Sequence, residues 1–446
     1  MENHNLRVHG MKILIALLVI LGSLAAAPHR AAGVQEPAPG TTAQSKQQAE
    51  AHLREQADEV LRKMSRITGL PIKSPVNKKI VSREEVRKIL LHNLHTEYTP
   101  QDIRVQKATL QAFGLIGKDF DLEKFLINFY TEQVAGFYDP RTKTMYMADW
   151  IPAKMQEMVL SHELTHALQD QNFNLVQYMK AVKNKDDAEA ARQAVVEGYA
   201  TAAMFQDMLG STPLSAMPSF GAVLGPLMRQ KMTEFPVFSK APFFFKLQAL
   251  FPYIQGIGFI AKGLQQADWN SLDKLFTSPP SSTKAIFQPG VYFNHVALPE
   301  VQLPVKNPLS SVPGLKQLDE NTMGELGCNE LAGQFLSEEK AAADCAGWMG
   351  DRYIVYEDPA AKNYPLLART RWSNAESALT FFRDYHTILT KKYPDFSLDS
   401  HSDAERIFGS TASGEVILLY AGDEVRWAEG VPASKVNGTL RWLEAI

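Results

Sequence analysis

The residues with the plainest chemical content are His162, Glu163 and His166, in the run Val159-Leu160-Ser161-His162-Glu163-Leu164-Thr165-His166-Ala167-Leu168-Gln169. On a helix, the four-residue spacing puts both imidazoles on one face, one turn apart, within reach of a single metal ion. Glu163 then projects beside that ion, placed to take a proton from its water, and zinc is the metal this HExxH pattern serves. A catalytic zinc normally has three protein ligands and an open position. Gln169, Asp170 and Gln171 follow His166, so there is no HExxHxxGxxH continuation and the third ligand must lie elsewhere. Residues 194–203 (AVVEGYATAA) offer Glu197, the only carboxylate in an apolar run. Buried alone and ionised it would be costly, and a bound cation removes that cost. Gly198 beside it would let its helix approach a neighbour closely. Asp187 and Glu189 are competing donors, but their polar surroundings read as a solvated helix start. The competing readings are two exposed histidines on a surface helix and, for Glu197, a buried salt bridge.

These side chains need elements to hold them. A helix of about 20 residues is expected over 153–172 behind Pro152, and a second from Asp187 to about Leu209, with a polar loop between. Upstream, 133–138 and 144–147 flank Asp139-Pro140-Arg141-Thr142-Lys143, which is turn chemistry, so a β-hairpin is expected there. Earlier helices are expected over 51–67, 82–95 (a capping box of Ser82 and Glu85), 100–115 and 122–130. Residues 28 to about 50 contain almost nothing that fills a core and read as a tether. Residues 243–261 are apolar enough to suggest a membrane span, but Lys246, Gln248, Pro252 and Gln255 interrupt them and favour a buried or cleft-lining helix. Seven prolines in 278–313 indicate an extended connector. Beyond it come a helix opened by Thr322-x-x-Glu325, a strand at 352–356, a helix from Ser373-x-x-Glu376 to about Tyr393, and a hairpin of 415–420 with 424–427. This is a small α+β unit.

HELTH followed by a helix-borne Glu resembles the gluzincins, the thermolysin-like branch of the zinc metallopeptidases. The resemblance implies His162, His166 and Glu197 as zinc ligands and Glu163 as general base. The segments VAGFYDPRTKTMY, SHELTHALQDQ, ARQAVVEGYAT, SPPSSTKAIFQP and GWMGDRY are similar to a bacterial group of exported or membrane-associated proteins with a gluzincin core, from about residue 125 to 380. It also implies that the hairpin at 133–147 edges the active-site sheet, where substrate adds as a strand. The chain departs from the pattern in places. Thr201 stands where thermolysin has an Asp that holds the first His, leaving Asp170 or a backbone carbonyl for that task. Gln288 stands where related sequences often carry His as a transition-state donor, with Tyr292 and His295 close by. The GxMEN strand motif of aminopeptidases is missing, which argues against trimming of free amino termini.

The remaining composition sets bounds. Hydrophobic residues are 45% and charged residues 21% of 446, which excludes a disordered chain and suggests more than one unit. A net charge of −3 gives no footprint for nucleic acid. Arg7, His9 and Lys12 precede an apolar run to Ala27 with a small-residue cleavage pattern, so 1–27 read as a signal peptide. Export makes a Cys328–Cys345 disulfide permissible. In GWMGDRY, Trp348, Asp351 and Arg352 either face the cleft or hold two domains together, the structural role being favoured. The expectation is thus an exported α+β protein: signal peptide 1–27, tether 28–50, an α-rich zincin-like catalytic domain 51–313 with an edge hairpin, and a C-terminal α+β domain 314–446. Its expected activity is zinc-dependent endopeptidase hydrolysis of peptides or proteins, with no nucleic-acid partner. The rival readings are a non-catalytic zinc-holding envelope scaffold and a zinc hydrolase of a non-peptide amide.

Overall fold

The computed structural model describes residues 43–217, 220–304 and 306–446, so the expected signal peptide and residues 28–42 of the expected tether lie outside the described residues. Helix α1 (Ala43–Thr68) starts eight residues before the expected point, so the end of the assigned tether is helical. That stretch has no Gly or Pro and is rich in helix formers, which outweighs its lack of core residues. Leu53, Ala57, Val60, Leu61 and Met64 form one buried stripe of α1, packed on the helices described below.

Strand β1 (Asn77–Val81), not anticipated, runs parallel to β3 (Thr144–Ala148), and β3 pairs antiparallel with β2 (Gly136–Asp139), giving the order β1-β3-β2. The expected hairpin is therefore present, with β2 at the sheet's edge. Between β1 and β2, α2 (Arg83–Glu97) and α3 (Pro100–Ala112) open on capping boxes at Ser82 and Thr99, and α4 (Leu122–Gln133) opens on Asp121. Helix α1 packs into the core and β1 pairs within the sheet, so residues 43–148 fold as part of this unit.

Next come α5 (Ala153–Phe173), α6 (Leu175–Lys180) and α7 (Asp186–Leu209). They are followed by α8 (Phe220–Met232), α9 (Pro236–Lys240) and α10 (Phe243–Leu264). By length and composition α10 is able to cross a membrane, yet 67% of its apolar window is buried inside the protein, where it packs along α7. The connector is not simply extended. It is preceded by α11 (Lys274–Thr277) and contains α12 (Thr283–Phe287) and α13 (Gly290–Phe293), because its prolines fall at the ends of short helical turns rather than within them.

The C-terminal unit is a seven-stranded antiparallel sheet, β4-β5-β6-β10-β9-β8-β7. In chain order it comprises β4 (Lys316–Asn321), α14 (Gly324–Phe335), α15 (Glu338–Cys345), β5 (Trp348–Glu357), β6 (Leu366–Trp372), α16 (Ala375–Lys392), β7 (Ser397–Leu398), β8 (Arg406–Thr411), β9 (Gly414–Ala421), β10 (Glu424–Val431) and α17 (Val436–Ala445). Alternation along β5 sends Tyr353 and Val355 to the face covered by α16, and Ile354 and Tyr356 to the face covered by α17. A disulfide joins Cys328 on α14 to Cys345 on α15, with Cα atoms 5.8 Å apart. The α+β class read from sequence holds, but one buried cluster runs from Leu53 through Val195 to Trp427, so the two units share a core.

Candidate metal centre

Helices α5 and α7 lie side by side, and their facing turns bring His162, His166 and Glu197 together. His162 Nε2 is 2.9 Å from His166 Nε2 and 3.2 Å from Glu197 Oε2, and His166 Nε2 is 3.3 Å from the same oxygen. Ligands ~2.0–2.1 Å from a tetrahedral metal stand roughly 3.3 Å apart, so the three donor atoms already sit near three vertices of one coordination tetrahedron. This buried triad can hold a metal ion.

The approach of α7 to its other neighbour is fixed by glycine. A Cβ on Gly198, next to Glu197, would lie 2.3 Å from the carbonyl carbon of Gly256 on α10, and one on Gly256 would lie 2.3 Å from the Ala194 carbonyl oxygen. Backbone touches backbone at that crossing. One turn earlier on α10, the ring of Tyr253 stands 6.2 Å from that of His162.

The surroundings set protonation. Gln169 donates to the Val196 carbonyl at 3.0 Å, which leaves its Oε1, 2.8 Å from His166 Nδ1, to accept from that nitrogen. The His166 Nε2 lone pair is thereby reserved for a ligand. Glu163 accepts from the backbone N–H of Tyr138 on β2 at 2.8 Å through Oε2, while its Oε1 is buried without a hydrogen-bond partner. Burial, reinforced by His166, lowers the His162 pKa to about 4. Burial also raises Glu163 to about 8. For His166 burial opposes the cation, but the charge and hydrogen bond of Glu197 prevail and raise it to about 9. Glu197 is likewise penalised by burial, yet His166 and both imidazole hydrogen bonds hold it down at about 2. The metal-free site is thus an imidazolium–carboxylate pair whose proton occupies the place of a cation.

A family model described as a domain of unknown function (DUF8575) matches residues 311–439. The match covers the C-terminal unit and none of the metal triad. No curated protein and no solved structure matches the chain.

Other candidate residues fall elsewhere. Asp170 does not support His162: it accepts from Tyr138 Oη at 2.8 Å, Lys143 Nζ at 2.5 Å and the Leu175 N–H at 3.2 Å, tying α5 to the hairpin. Thr201 Oγ1 and His162 Nδ1 are both buried without a hydrogen-bond partner. Tyr292 donates to the Ser278 carbonyl at 2.7 Å and packs on Phe259 and Phe293, and His295 is an exposed turn residue with φ 53°. Gln288 donates to Glu325 and to the Ala346 carbonyl. Asp187 and Glu189 are buried rather than solvated. Asp187 accepts from Thr283 N at 2.8 Å and Thr283 Oγ1 at 2.5 Å, where α7, α12 and α14 meet. Asp351 accepts from the N–H groups of Met323 and Gly324 at 2.8 and 3.0 Å, so it rather than Thr322 caps α14, while Trp348 donates to Asp351 at 3.2 Å and Arg352 pairs with Glu320 at 2.8 Å. Sequence reasoning gave no role to Gln169 or Tyr138, and read the apolar flank holding Tyr253 as core packing in preference to a groove lining; Tyr253 is buried. Gln169 had a readable signal, since a residue three after His166 shares its face.

Proposed function

We propose that the protein is an exported zinc metallopeptidase of the gluzincin type, with an endopeptidase activity on peptides or unfolded proteins. The observation that carries this reading is the convergence of two imidazole nitrogens and one carboxylate oxygen beside a carboxylate that is not a ligand. Zinc held there supplies a Lewis acid and lowers the pKa of a water to about 7. Glu163 is the general base. Its Oε2 is fixed by the Tyr138 amide, and its Oε1 is left to take the proton from the attacking water and return it to the leaving amine as the C–N bond breaks. Gln169 orients His166, and Asp170 secures β2 through Tyr138. The Cys328–Cys345 disulfide supports an oxidising compartment and so export.

A metal held purely for structure is the second reading, and one observation favours it. His162 and Glu163 are 0%, Glu197 1% and His166 5% exposed. Against it stand the ligand count, three where a closed structural site uses four, and the unpartnered oxygen of Glu163. The test is degradation of an unfolded protein mixture by the mature chain and by Glu163→Gln, each confirmed to hold one zinc. Cleavage lost in the variant supports the peptidase; equal cleavage, or none by either, overturns it.

A further inference from the structure

Buried carboxylates gather where the C-terminal unit meets α7, at the first turn of α14. A Cβ on Gly324 would overlap Oδ1 of Asp187, which reaches across from α7. Asp351 of β5 accepts from the N–H of the same glycine at 3.0 Å, and Glu325 is the next residue. All three carboxylates are buried, as is the Lys284 ammonium of α12 that pairs with Glu325 at 3.2 Å. On the strand beside β5, Asp319 of β4 is buried too. It accepts from Thr109 of α3 at 3.1 Å and Tyr353 of β5 at 3.0 Å, and the charge of Asp186 on α7 acts on it. Neighbouring charges are paired elsewhere: Arg352 of β5 with Glu320, and on α15 and α16 Lys340 with Asp344 and Asp384.

Like charges gathered out of water cannot all stay ionised, so this seam holds protons that the separated units would release. We propose that it is a proton-operated clasp, which holds the C-terminal unit on the start of α7 most firmly in mildly acidic medium and slackens as the medium becomes neutral and then alkaline. Burial raises Glu325 to about 7, with Asp187 adding to it and Lys284 and Gln288 opposing. Burial likewise raises Asp351 to about 7, against the N–H groups of Met323 and Gly324 and again with Asp187 adding to it. Asp319 is raised to about 7 by burial and by Asp186, against the hydroxyls of Tyr353 and Thr109. Each group binds its proton more tightly in the closed seam than in water, where carboxyls titrate near about 4. The stability it contributes is therefore full below about pH 4 and is lost as the pH rises to about 7. The clasp acts on the helix that carries Glu197, yet it does not depend on the peptidase reading.

The test is amide hydrogen exchange of the full mature chain in saturating zinc at about pH 5.5 and about pH 8.5, each rate divided by the intrinsic rate for that pH. Protection of α12 and of the first two turns of α14 is read against that of β9 in the same protein. In wild type it should fall by at least about 10-fold across this range while β9 stays constant, because local opening exposes carboxyls that then titrate at their ordinary values. Glu325→Gln and Asp319→Asn keep a hydrogen-bonding side chain that does not titrate, and each should cut that fall several-fold, with circular dichroism confirming the fold. Wild-type protection that is flat or rises with pH overturns the clasp, as does a fall retained in full by both variants. Should neither variant fold, the wild-type profile decides alone. Cleavage has no part in this readout, so the clasp stands if the peptidase reading falls, and falls without taking that reading with it.

Discussion

Gly198→Ala tests whether the closeness of α7 and α10 fixes the third metal ligand. The new methyl would lie 2.3 Å from the Gly256 carbonyl carbon, 2.5 Å from its oxygen and 2.6 Å from its Cα, all backbone atoms that no rotamer change relieves. Ordinary contact requires the helices to part by roughly 1 Å, and a gap of that size forfeits about a quarter to a half of each dispersion contact along the crossing. Alanine returns about 0.5–1 kcal/mol of helix propensity, while overpacking costs about 1–3 kcal/mol and more where backbone must move. A net loss of up to about 2.5 kcal/mol follows, and more to the extent that the backbone must move. Glu197 is the neighbouring residue, and metal ligands tolerate displacements of only about 0.2 Å, so zinc affinity should fall at least 10-fold. Urea unfolding of the metal-free protein reads the first effect and competition with a chromophoric chelator the second. Gly258→Ala is the control: it lies on the same helix with nothing within 4 Å of the added carbon. That variant should be stabilised by about 0.5–1 kcal/mol. Should Gly198→Ala match wild type in both stability and zinc affinity, the helix crossing does not set the site and the reasoning fails.

Metal binding should release a proton. His166 is held protonated up to about pH 9 in the metal-free site and must be neutral to ligate, so affinity should rise about tenfold per pH unit toward pH 9, and calorimetry in buffers of different ionisation enthalpy should find about one proton released at pH 7. No buffer dependence would contradict this assignment. Gln169→Ala removes the acceptor that fixes the His166 ring and should weaken zinc binding about 10- to 100-fold with the fold retained, whereas Gln169→Glu should restore most of it; equal affinity in all three would refute the orienting role. Reducing Cys328–Cys345, which closes a 17-residue separation, should lower stability by about 3 kcal/mol in urea unfolding, and an unchanged midpoint would show that the shared core already fixes α14 against α15.

How much was legible depends on whether an element's signal is local. The α5 motif, the capping box at Ser82, the proline that opens α3 and the 139–143 turn are written within a few residues, and each is found where the pattern places it. Strand β1 is not, because Asn77-Lys78-Lys79 is polar and becomes a strand only through its partner β3. The cap of α14 was misread for the same reason. Thr322 and Glu325 have the spacing of a capping box, but Asp351, 28 residues away from Met323, takes the helix's N–H groups, while Glu325 pairs with Lys284. At the candidate site, the triad was legible because His162 and His166 stand one helical turn apart around Glu163, and because Glu197 is the only carboxylate in its apolar run, where an unpaired charge needs a reason. Of its supports, Gln169 shares a face with His166 and could be read, whereas Tyr138 reaches Glu163 only once β2 has folded against α5.

The units on either side of the connector are coupled through α7. That helix carries Glu197 at its middle, and at its N-terminal end Asp187 is bound to Thr283, whose hydroxyl also accepts from the Leu326 N–H of α14 at 3.1 Å. Gly324, at φ 75°, has no room for a side chain because Asp187 occupies the space. Lys284 pairs with Glu325 at 3.2 Å and donates to the Ala346 carbonyl at 2.6 Å, with both side chains about 4% exposed. Removing residues 314–446 would therefore strip buried Lys284 of Glu325 and of the Ala346 carbonyl, a cost of the kind that breaks a buried ion pair, and would take the Leu326 donor from Thr283. It would also uncover the apolar faces of α7 and α10 that α14 covers. Such a truncated chain should lose zinc along with its fold, which makes the α+β unit a condition for the metal site rather than a passenger beside it.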